Sequence, residues 1–312
     1  MNKLLVLSAE AAEYTELIQA AGLHQLEVRS AHDTDSAISL IADCNIILGD
    51  PPLIGNLLPS AEQLEWVQSS WAGVDNLCQK GLRRDYTLTN AKGIFGPLIS
   101  EYVMAYLFGF ERRIFDMRRN QLNHDWRPLP YRPANEIELG IIGLGSIGKH
   151  LALTARHFGM HVTGLNRSGS PCNDVDRVYT RDGMADFLET LDYVVLTLPA
   201  TLETRHLVDA RVLSMMKPSS ILFNVGRGNS INEDDLVDAL REGIIGGAVL
   251  DVFEKEPLQQ DSPLWQLPNV FVTPHTSANS FPEDLAGIFI ENYQRFLRKE
   301  PLLHVVDFEL GY

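Results

Sequence analysis

The chain has 312 residues, which is more than one typical hydrophobic core needs and about right for two domains. Its 45% of hydrophobic and 21% of charged residues are typical of a globular protein rather than a disordered one. The formal net charge of -15 argues against nucleic acid and other polyanions as partners, because binding phosphates requires a basic face.

The three cysteines, Cys44, Cys78 and Cys172, are far apart and odd in number. This pattern indicates neither a disulfide framework nor a metal site, and it fits a reducing compartment. The apolar run near the N-terminus is too short for the core of a secretory leader, and no stretch approaches the roughly 20 apolar residues of a membrane span. We therefore expect a cytoplasmic protein with no membrane association and no bound metal.

Strand and helix signals alternate through the first hundred residues. Apolar runs predict strands over 4–7, 26–28, 45–48 and 64–68, and the first strand is followed by a predicted helix over 11–21 that Gly22 ends. Alternation of this kind is typical of parallel βα units. Asp50-Pro51-Pro52 is predicted to close the third strand with a rigid turn.

A long apolar helix is predicted over 97–119, with Pro97 in its first turn, and a proline-containing linker follows over 120–135. A second alternating series then begins, and a last amphipathic helix is predicted over 282–299. The strands predicted in the second series cover 137–142, 161–165, 193–198, 221–225, 247–250 and 270–273. We assign 99–278 to a dinucleotide-binding domain, and 1–98 with 279–312 to a substrate domain.

The turn Gly143-Leu144-Gly145-Ser146-Ile147-Gly148 lies between a predicted strand and a helix predicted over 147–158. In that context the first glycine permits the tight turn, the second lets the backbone approach a pyrophosphate, and the third lets helix and strand pack closely. The N-terminus of the helix then presents free N–H groups to the phosphates. The segment predicts a nicotinamide dinucleotide site.

The end of the next strand bears on which dinucleotide binds. An NAD site calls for an acidic residue about 20 positions on, whereas this chain has Asn166-Arg167-Ser168 there and no Asp or Glu between Lys149 and Asn173. The segment thus contains no carboxylate that would repel a 2′-phosphate. Arg167 offers a positive charge and Ser168 a hydroxyl donor to such a phosphate. This favours NADP(H), while Arg167 as a solvated loop residue beside bound NAD(H) stays open.

Three polar residues, Arg227, Glu256 and His275, stand near the ends of apolar strands in the second series. Reducing a 2-oxo acid by hydride transfer requires a cation to hold the carboxylate and polarise the ketone, an acid to protonate its oxygen, and a partner to keep that acid protonated. Arg227, His275 and Glu256 fit those roles in that order. Spacing alone leaves open whether the three meet in space.

With these motifs the sequence resembles the D-isomer-specific 2-hydroxyacid dehydrogenase family over most of residues 136 to 280. The matching segments, in family order, are 139–148, 198–204, 216–228, 247–253, 256–258 and 273–275. Within the family the chain is most similar to the glyoxylate/hydroxypyruvate reductases, including its ending Leu310-Gly311-Tyr312.

The resemblance implies two doubly wound α/β domains with parallel sheets, a Rossmann-type coenzyme domain and a flavodoxin-like substrate domain, with the active site in the cleft between them. It also implies a homodimer. In the family pattern Arg227 binds the substrate carboxylate and carbonyl oxygen, His275 donates and accepts the proton, and Glu256 is the partner of His275. Asp251 would orient the nicotinamide carboxamide. The remaining cofactor residues would be Leu198, Pro199, Thr204, Val225 and Gly226, with His275 adjoining them.

In the first domain, the resemblance places the substrate carboxylate on the backbone of Ala72 and Gly73, next to Trp71. Trp71 is bulkier than the small residue often found at that position in the family, so it is either a wall that narrows the substrate pocket or a core residue. Trp126, in the linker, either reaches a partner subunit's active site or anchors packing.

The sequence thus predicts an NADPH-dependent reductase of small 2-oxo acids, glyoxylate and hydroxypyruvate in particular, with His275 as proton donor. Two alternatives stay open. The first is an NAD-dependent dehydrogenase of a bulkier D-2-hydroxy acid, and the second is a dinucleotide-sensing binding protein on the same fold.

Overall fold

The computed structural model describes all 312 residues, which form two units: Met1–Ile94 with Ser280–Tyr312, and Phe95–Asn279. The boundaries expected from the sequence were 98/99 and 278/279. The first boundary moves because a helix begins at Phe95 and runs unbroken to Glu111, so its first turn stays with the second unit. No helix in the chain combines the length and the apolar character needed to cross a bilayer.

The first unit is built on a parallel sheet of five strands in the order β2-β1-β3-β4-β5. The strands are β1 (Asn2–Leu7), β2 (Leu26–Ala31), β3 (Ile46–Gly49), β4 (Trp66–Ser69) and β5 (Thr87–Thr89). The helices of this unit are α1 (Ala11–Ala20), α2 (Thr34–Ala37), α3 (Pro51–Leu57) and α10 (Pro282–Arg298). This strand order is the flavodoxin-like one, and burial of β3 and β4 along their whole length fits a parallel sheet covered on both faces.

The C-terminal segment completes the core of the first unit. The indole of Trp66 on β4 stacks on Phe289 of α10 at a centroid distance of 5.1 Å, and its Nε1 donates to Thr89 Oγ1 at 2.8 Å. Phe289 and Tyr293 are fully buried. Because α10 covers the sheet in this way, the first unit needs chain from both ends of the sequence.

The second unit contains a parallel sheet of seven strands in the order β12-β11-β10-β9-β6-β7-β8. The strands are β6 (Glu138–Ile142), β7 (His161–Leu165), β8 (Arg177–Tyr179), β9 (Tyr193–Leu196), β10 (Ile221–Asn224), β11 (Gly247–Leu250) and β12 (Val270–Val272). The helices are α4 (Phe95–Glu111), α5 (Ile114–Leu122), α6 (Ser146–His157), α7 (Met184–Leu188), α8 (Ala210–Leu213) and α9 (Glu233–Glu242). The order is that of the doubly wound dinucleotide fold with one added strand, so the expectation of two α/β parallel-sheet domains is confirmed.

Two local expectations are wrong, and two strands were missed. The helix predicted over 97–119 is two helices, α4 and α5, because Arg113 takes a left-handed conformation with φ 55° and breaks the hydrogen-bond ladder. The pair Pro51-Pro52 begins α3 instead of closing a turn, since proline suits the first helical positions. The short edge strands β5 and β8 were not expected at all.

Candidate active site

The candidate cofactor and catalytic residues of the second unit follow the carboxyl ends of its parallel strands. The glycine turn follows β6, Asn166 follows β7, Arg227 lies three residues beyond β10, and Asp251 follows β11. Strands β6 and β9 lie side by side although the chain between them winds to the other half of the sheet. In doubly wound sheets, ligands bind at the carboxyl edge near such a switch point, so the fold gathers these residues where a ligand site is expected.

Each glycine of the turn meets a different steric condition. Gly143 has φ 107°, which disfavours a side chain. A Cβ on Gly148 would lie 2.0 Å from the carbonyl oxygen of Gly143, so only glycine allows this approach of α6 to the turn. At Gly145 a Cβ would meet nothing within 4 Å, which leaves that face of the turn open. Because α6 begins directly after Gly145, the first N–H groups of the helix, which have no partner within it, lie next to this open face.

The loop after β7 is shaped by the Asn166 side chain. Its Oδ1 accepts from Gly169 N at 2.6 Å, and its Nδ2 donates to Ser170 O at 3.0 Å. Arg167 extends from this loop with 63% of its side chain exposed, and its Nη1 lies 3.8 Å from Glu203 Oε2. The loop therefore offers a cation at the expected place, with a carboxylate beside it that the sequence analysis did not identify.

The segment after β9 folds into a tight turn. Thr204 Oγ1 donates to Pro199 O at 2.6 Å and accepts from Thr201 N at 2.9 Å. Behind this turn, a Cβ on Gly226 would lie 2.6 Å from Leu198 N. The expected cofactor residues Leu198, Pro199 and Thr204 thus lie in one turn that abuts the loop after β10.

His275 and Glu256 form a direct pair, with 2.8 Å between His275 Nδ1 and Glu256 Oε2. The other carboxylate oxygen of Glu256 accepts from Phe253 N at 3.0 Å. Burial alone would raise the pKa of Glu256, but the hydrogen bonds from His275 and Phe253, with the charges of His275 and Arg227, hold this pKa below its usual value. The carboxylate therefore stays charged and fixes the ring through Nδ1, which leaves Nε2 to face a substrate.

The loop that carries His275 is anchored by the fully buried carboxylate of Asp251. Asp251 accepts from Thr273 Oγ1 at 2.5 Å, from Thr276 N at 2.8 Å and from Ser277 N at 2.9 Å. Its backbone oxygen also accepts from His275 N at 2.8 Å. These bonds hold His275 in a left-handed conformation with φ 53°. In this structure Asp251 supports the loop of the candidate acid, a contact that the resemblance did not include.

Arg227 stands in the loop after β10, close enough to Glu256 for its charge to act on that carboxylate. Its Nη1 donates to Gly226 O at 2.9 Å, and its own carbonyl oxygen accepts from Asn224 Nδ2 and Ser230 Oγ. The second unit therefore brings together the three residues that the sequence singled out.

In the first unit, Trp71, Ala72 and Gly73 follow β4 at the carboxyl edge of its sheet. Ser69 Oγ donates to Trp71 O at 2.9 Å, and Asn90 Nδ2 donates to Ala72 O at 2.8 Å, so the segment is held through its carbonyl groups. The side chain of Trp71 is 44% exposed, which rules out the alternative that it is a core residue. Trp126 is 100% exposed, so it is not a packing anchor within the chain either.

A groove of about 590 Å³ lies elsewhere in the second unit, at the amino ends of the strands. Phe115, Tyr131, Arg132 and Phe271 are among its lining residues. None of the candidate site residues lines this groove, because those of the second unit lie at the opposite, carboxyl ends of the strands.

Known proteins resemble the chain over most of its length. The family model described as the NAD binding domain of D-isomer specific 2-hydroxyacid dehydrogenases matches residues 104–277. Glyoxylate/hydroxypyruvate reductase A of Photorhabdus laumondii is 33% identical over 217 residues, which are 70% of this chain and 69% of the relative.

Two solved structures are close in fold. A D-isomer specific 2-hydroxyacid dehydrogenase family protein of Aeromonas salmonicida is 47% identical with a TM-score of 0.94, over 98% of this chain and 99% of that one. The NADPH-dependent glyoxylate/hydroxypyruvate reductase of Sinorhizobium meliloti, in complex with NADP and sulfate, is 30% identical with a TM-score of 0.91 over the full length of both chains.

Proposed function

Because the chain belongs to the D-isomer specific 2-hydroxyacid dehydrogenase family and is thus an NAD(P)-dependent oxidoreductase, we propose that it reduces small 2-oxo acids, glyoxylate and hydroxypyruvate in particular, with NADPH. The observation that carries the proposal is the 2.8 Å pair of His275 and Glu256 beside Arg227 at the carboxyl edge of a dinucleotide-type sheet. Relatives described as glyoxylate/hydroxypyruvate reductases, one of them NADPH-dependent, support the substrate and cofactor.

The residues at the switch point fit a dinucleotide. The open face at Gly145 and the start of α6 would receive the pyrophosphate, with Leu144, Ser146 and Ile147 completing the turn. Arg167 would pair with the 2′-phosphate, and Ser168 would donate to it. Leu198, Pro199 and Thr204 would line the adenosine side, and Val225, Gly226 and Asp251 the nicotinamide side. When bound, the cofactor supplies the hydride that reduces the carbonyl carbon.

The protein's own residues supply orientation and the proton. Arg227 binds the substrate carboxylate and polarises the carbonyl oxygen, so negative charge growing on that oxygen is stabilised. His275 donates the Nε2 proton to the same oxygen, and the product is the 2-hydroxy acid. Glu256 holds the ring by Nδ1 and so leaves Nε2 available for this step. In the reverse reaction His275 accepts the proton.

In the first unit, the segment Trp71–Gly73 is the candidate for substrate binding. The backbone N–H groups of Ala72 and Gly73 would receive the substrate carboxylate, and the segment that carries them is held through the carbonyl groups of Trp71 and Ala72. The exposed indole of Trp71 would narrow the space for the substrate's side chain and so favour small acids.

The assembly that we propose is a homodimer. Apolar side chains are exposed on α5 and on the segment after it, and an exposed apolar set of this size is typical of a protein interface. They are Ile114 at 53%, Met117 at 44%, Leu122 at 65%, Trp126 at 100% and Tyr131 at 56%. The groove at the amino ends of the strands adjoins this surface, since Arg113, Phe115 and Tyr131 line it.

Initial rates with glyoxylate, hydroxypyruvate, pyruvate and a branched 2-oxo acid, each with NADPH and with NADH, test the proposal. We expect the highest kcat/KM with glyoxylate and hydroxypyruvate, and with NADPH as the cofactor. A preference for the branched acid with NADH would instead indicate a dehydrogenase of a bulkier acid. Tight NADPH binding without turnover on any acid would indicate a dinucleotide-sensing protein.

A further inference from the structure

We propose that His206 is a positioning residue for the reaction: by pairing with Glu254 it holds the turn on which Glu256 meets His275. The inference rests on the proposed function, since it assigns His206 a part in the proton transfer by His275. It concerns a second histidine–glutamate pair, two residues along the chain from the first.

The turn between Phe253 and Glu256 is fixed at several points. His206 Nε2 contacts Glu254 Oε1 directly. The backbone N of Glu254 donates to Glu233 Oε1 at 2.6 Å, and the backbone N of Phe253 donates to Glu256 Oε1 at 3.0 Å. Glu254 is thus held by both its side chain and its backbone, whereas Glu256 is held within the turn and by His275. Loss of the His206 contact therefore removes the bond that holds the Glu254 side chain.

His206 is itself firmly placed. Its backbone has φ 49°, a left-handed conformation that non-glycine residues adopt only when other contacts hold them there. Its N donates to Asn229 O at 2.8 Å. Asn229 belongs to the turn Gly228–Ser230 directly after Arg227. His206 therefore connects the loop of Arg227 with the turn of Glu256.

The same two segments touch at the backbone. A Cβ on Gly228 would lie 1.8 Å from the carbonyl carbon of Phe253 and 2.4 Å from Glu254 N. A shift of the Phe253–Glu256 turn toward the loop of Arg227 is blocked by this contact. The His206 pair opposes a shift in the other direction, so the turn is confined on two sides.

Repulsion among carboxylates is a further reason why the pair of His206 and Glu254 matters for the turn. Three carboxylates, Glu233, Glu254 and Glu256, surround the turn. Burial raises the pKa of Glu233, and the charges of Glu254, Asp234 and Glu256 add to this, while the hydrogen bond from Glu254 N opposes it. The hydrogen bond from His275 and the charge of Arg227 lower the pKa of Glu256, and the Glu254 carboxylate contacts His206. Without His206, repulsion among the carboxylates would push Glu254 outward and loosen the hold of Glu256 on His275.

The test compares His206→Ala, His206→Gln and Glu254→Ala with the parent enzyme, using kcat and KM for glyoxylate over a range of pH. A misplacement on the order of 1 Å can cost about a hundredfold in rate, and we expect kcat to fall by about ten- to a hundredfold in His206→Ala with little change in KM. The alkaline limb of the kcat profile should move to lower pH, because His275 loses part of its counter-charge. Gln at 206 can still donate to Glu254, so it should restore most of kcat.

Lys255→Ala is the matched control, since Lys255 is an exposed residue of the same turn and should tolerate the change. The double variant His206→Ala with Glu254→Ala should be no slower than either single variant if the two act as a pair. An unchanged profile in His206→Ala, or additive losses in the double variant, would overturn the proposal.

A second readout separates this proposal from the proposed function. Hydrogen–deuterium exchange of backbone amides in residues 252–258 should speed up in His206→Ala and Glu254→Ala, and return toward the parent rate in His206→Gln, whatever the substrate. If the parent enzyme reduces no 2-oxo acid, the proposed function fails while this measurement still decides whether the pair holds the turn. Equal exchange in all variants would show that it does not.

Discussion

At the scale of single residues, the role of His275 is the one most directly open to test. We expect His275→Ala to lose about 10²- to 10⁴-fold in kcat, the usual contribution of a positioned general acid. NADPH affinity, measured by fluorescence titration, should remain because the glycine turn and Arg167 are untouched. His157→Ala, at the exposed C-terminal end of α6, is the control and should keep its rate. Near-normal turnover in His275→Ala would show that another group donates the proton.

The carboxylate of Glu256 gives the reaction a pH dependence. Because its pKa in the folded protein lies below the usual value, the stabilisation from its charge is present above the unfolded pKa and is lost only as the pH falls through the folded pKa. The pair with His275 should therefore persist under more acidic conditions than an ordinary glutamate would allow. We expect Glu256→Gln to lower kcat and to move the alkaline limb of the profile to lower pH. A profile identical to that of the parent would contradict this assignment.

Cofactor choice is the third property that depends on individual side chains. Arg167→Asp should move preference from NADPH toward NADH, because it replaces the proposed partner of the 2′-phosphate with a repelling charge. The nearby carboxylate of Glu203, 3.8 Å from Arg167, should oppose the same phosphate. Glu203→Gln should then tighten NADPH several-fold and leave NADH unchanged, as dissociation constants from fluorescence titration would show. Equal changes in the dissociation constants of both cofactors would show that Glu203 does not act on the 2′-phosphate.

At the scale of elements, the close approach of α6 to the turn after β6 depends on Gly148, whereas Gly145 borders the open face proposed for the pyrophosphate. Gly148→Ala would place a Cβ 2.0 Å from Gly143 O, and overpacking of this kind costs about 1–3 kcal/mol or more. Gly145→Ala meets no atom within 4 Å and has a conformation, φ -76°, that alanine accepts. We expect Gly148→Ala to lower Tm in a thermal melt. Gly145→Ala should keep Tm and weaken NADPH binding, and the reverse order of effects would refute these roles.

The strands buried in the middle of each sheet could be read from the sequence, because a short apolar run bounded by turn residues has few other structures available. The strands predicted over 161–165 and 247–250 have those bounds in the structure. The edge strands β5 and β8 have three residues each and exist through pairing with one neighbour, which no local pattern indicates. The break between α4 and α5 is also tertiary: Gly109 packs so closely on Phe115 that a Cβ would lie 2.7 Å from the ring.

The candidate site shows the same division. Arg227, Glu256 and His275 could be singled out because each lies near a strand end in family order, and parallel strands bring such ends to one edge. The contacts of His206 with Glu254 and of Arg167 with Glu203 depend on the paths of two loops. The support of the His275 loop by Asp251 requires the buried carboxylate to point toward Thr273 and Ser277. The spacing of residues along the sequence indicates neither the path of a loop nor the orientation of a side chain.

At the scale of the whole chain, the two units differ in how the sequence builds them and in which candidate residues they hold. The second unit holds the glycine turn and His275, the proposed proton donor, and it is continuous in sequence. The first unit holds the segment Trp71–Gly73 and is closed by α10, where Asn292 donates to Gln68 Oε1 at 3.2 Å and accepts from Leu303 N at 2.7 Å. Residues beyond Ser280 are therefore structural for the first unit although they lie far from its other strands in sequence.

The exposed apolar surface on α5 and the following segment is where we propose that a second copy binds. Light scattering after gel filtration should give twice the chain mass of 34.9 kDa. We expect Leu122→Asp to reduce the mass toward that of one chain, since it places a charge on a surface where Leu122 is 65% exposed. Ile38→Asp is the matched control, because Ile38 is 57% exposed but belongs to the first unit, whereas the apolar surface belongs to the second. A parent protein with the mass of a single chain would exclude the dimer, and loss of mass in both variants would place the interface elsewhere.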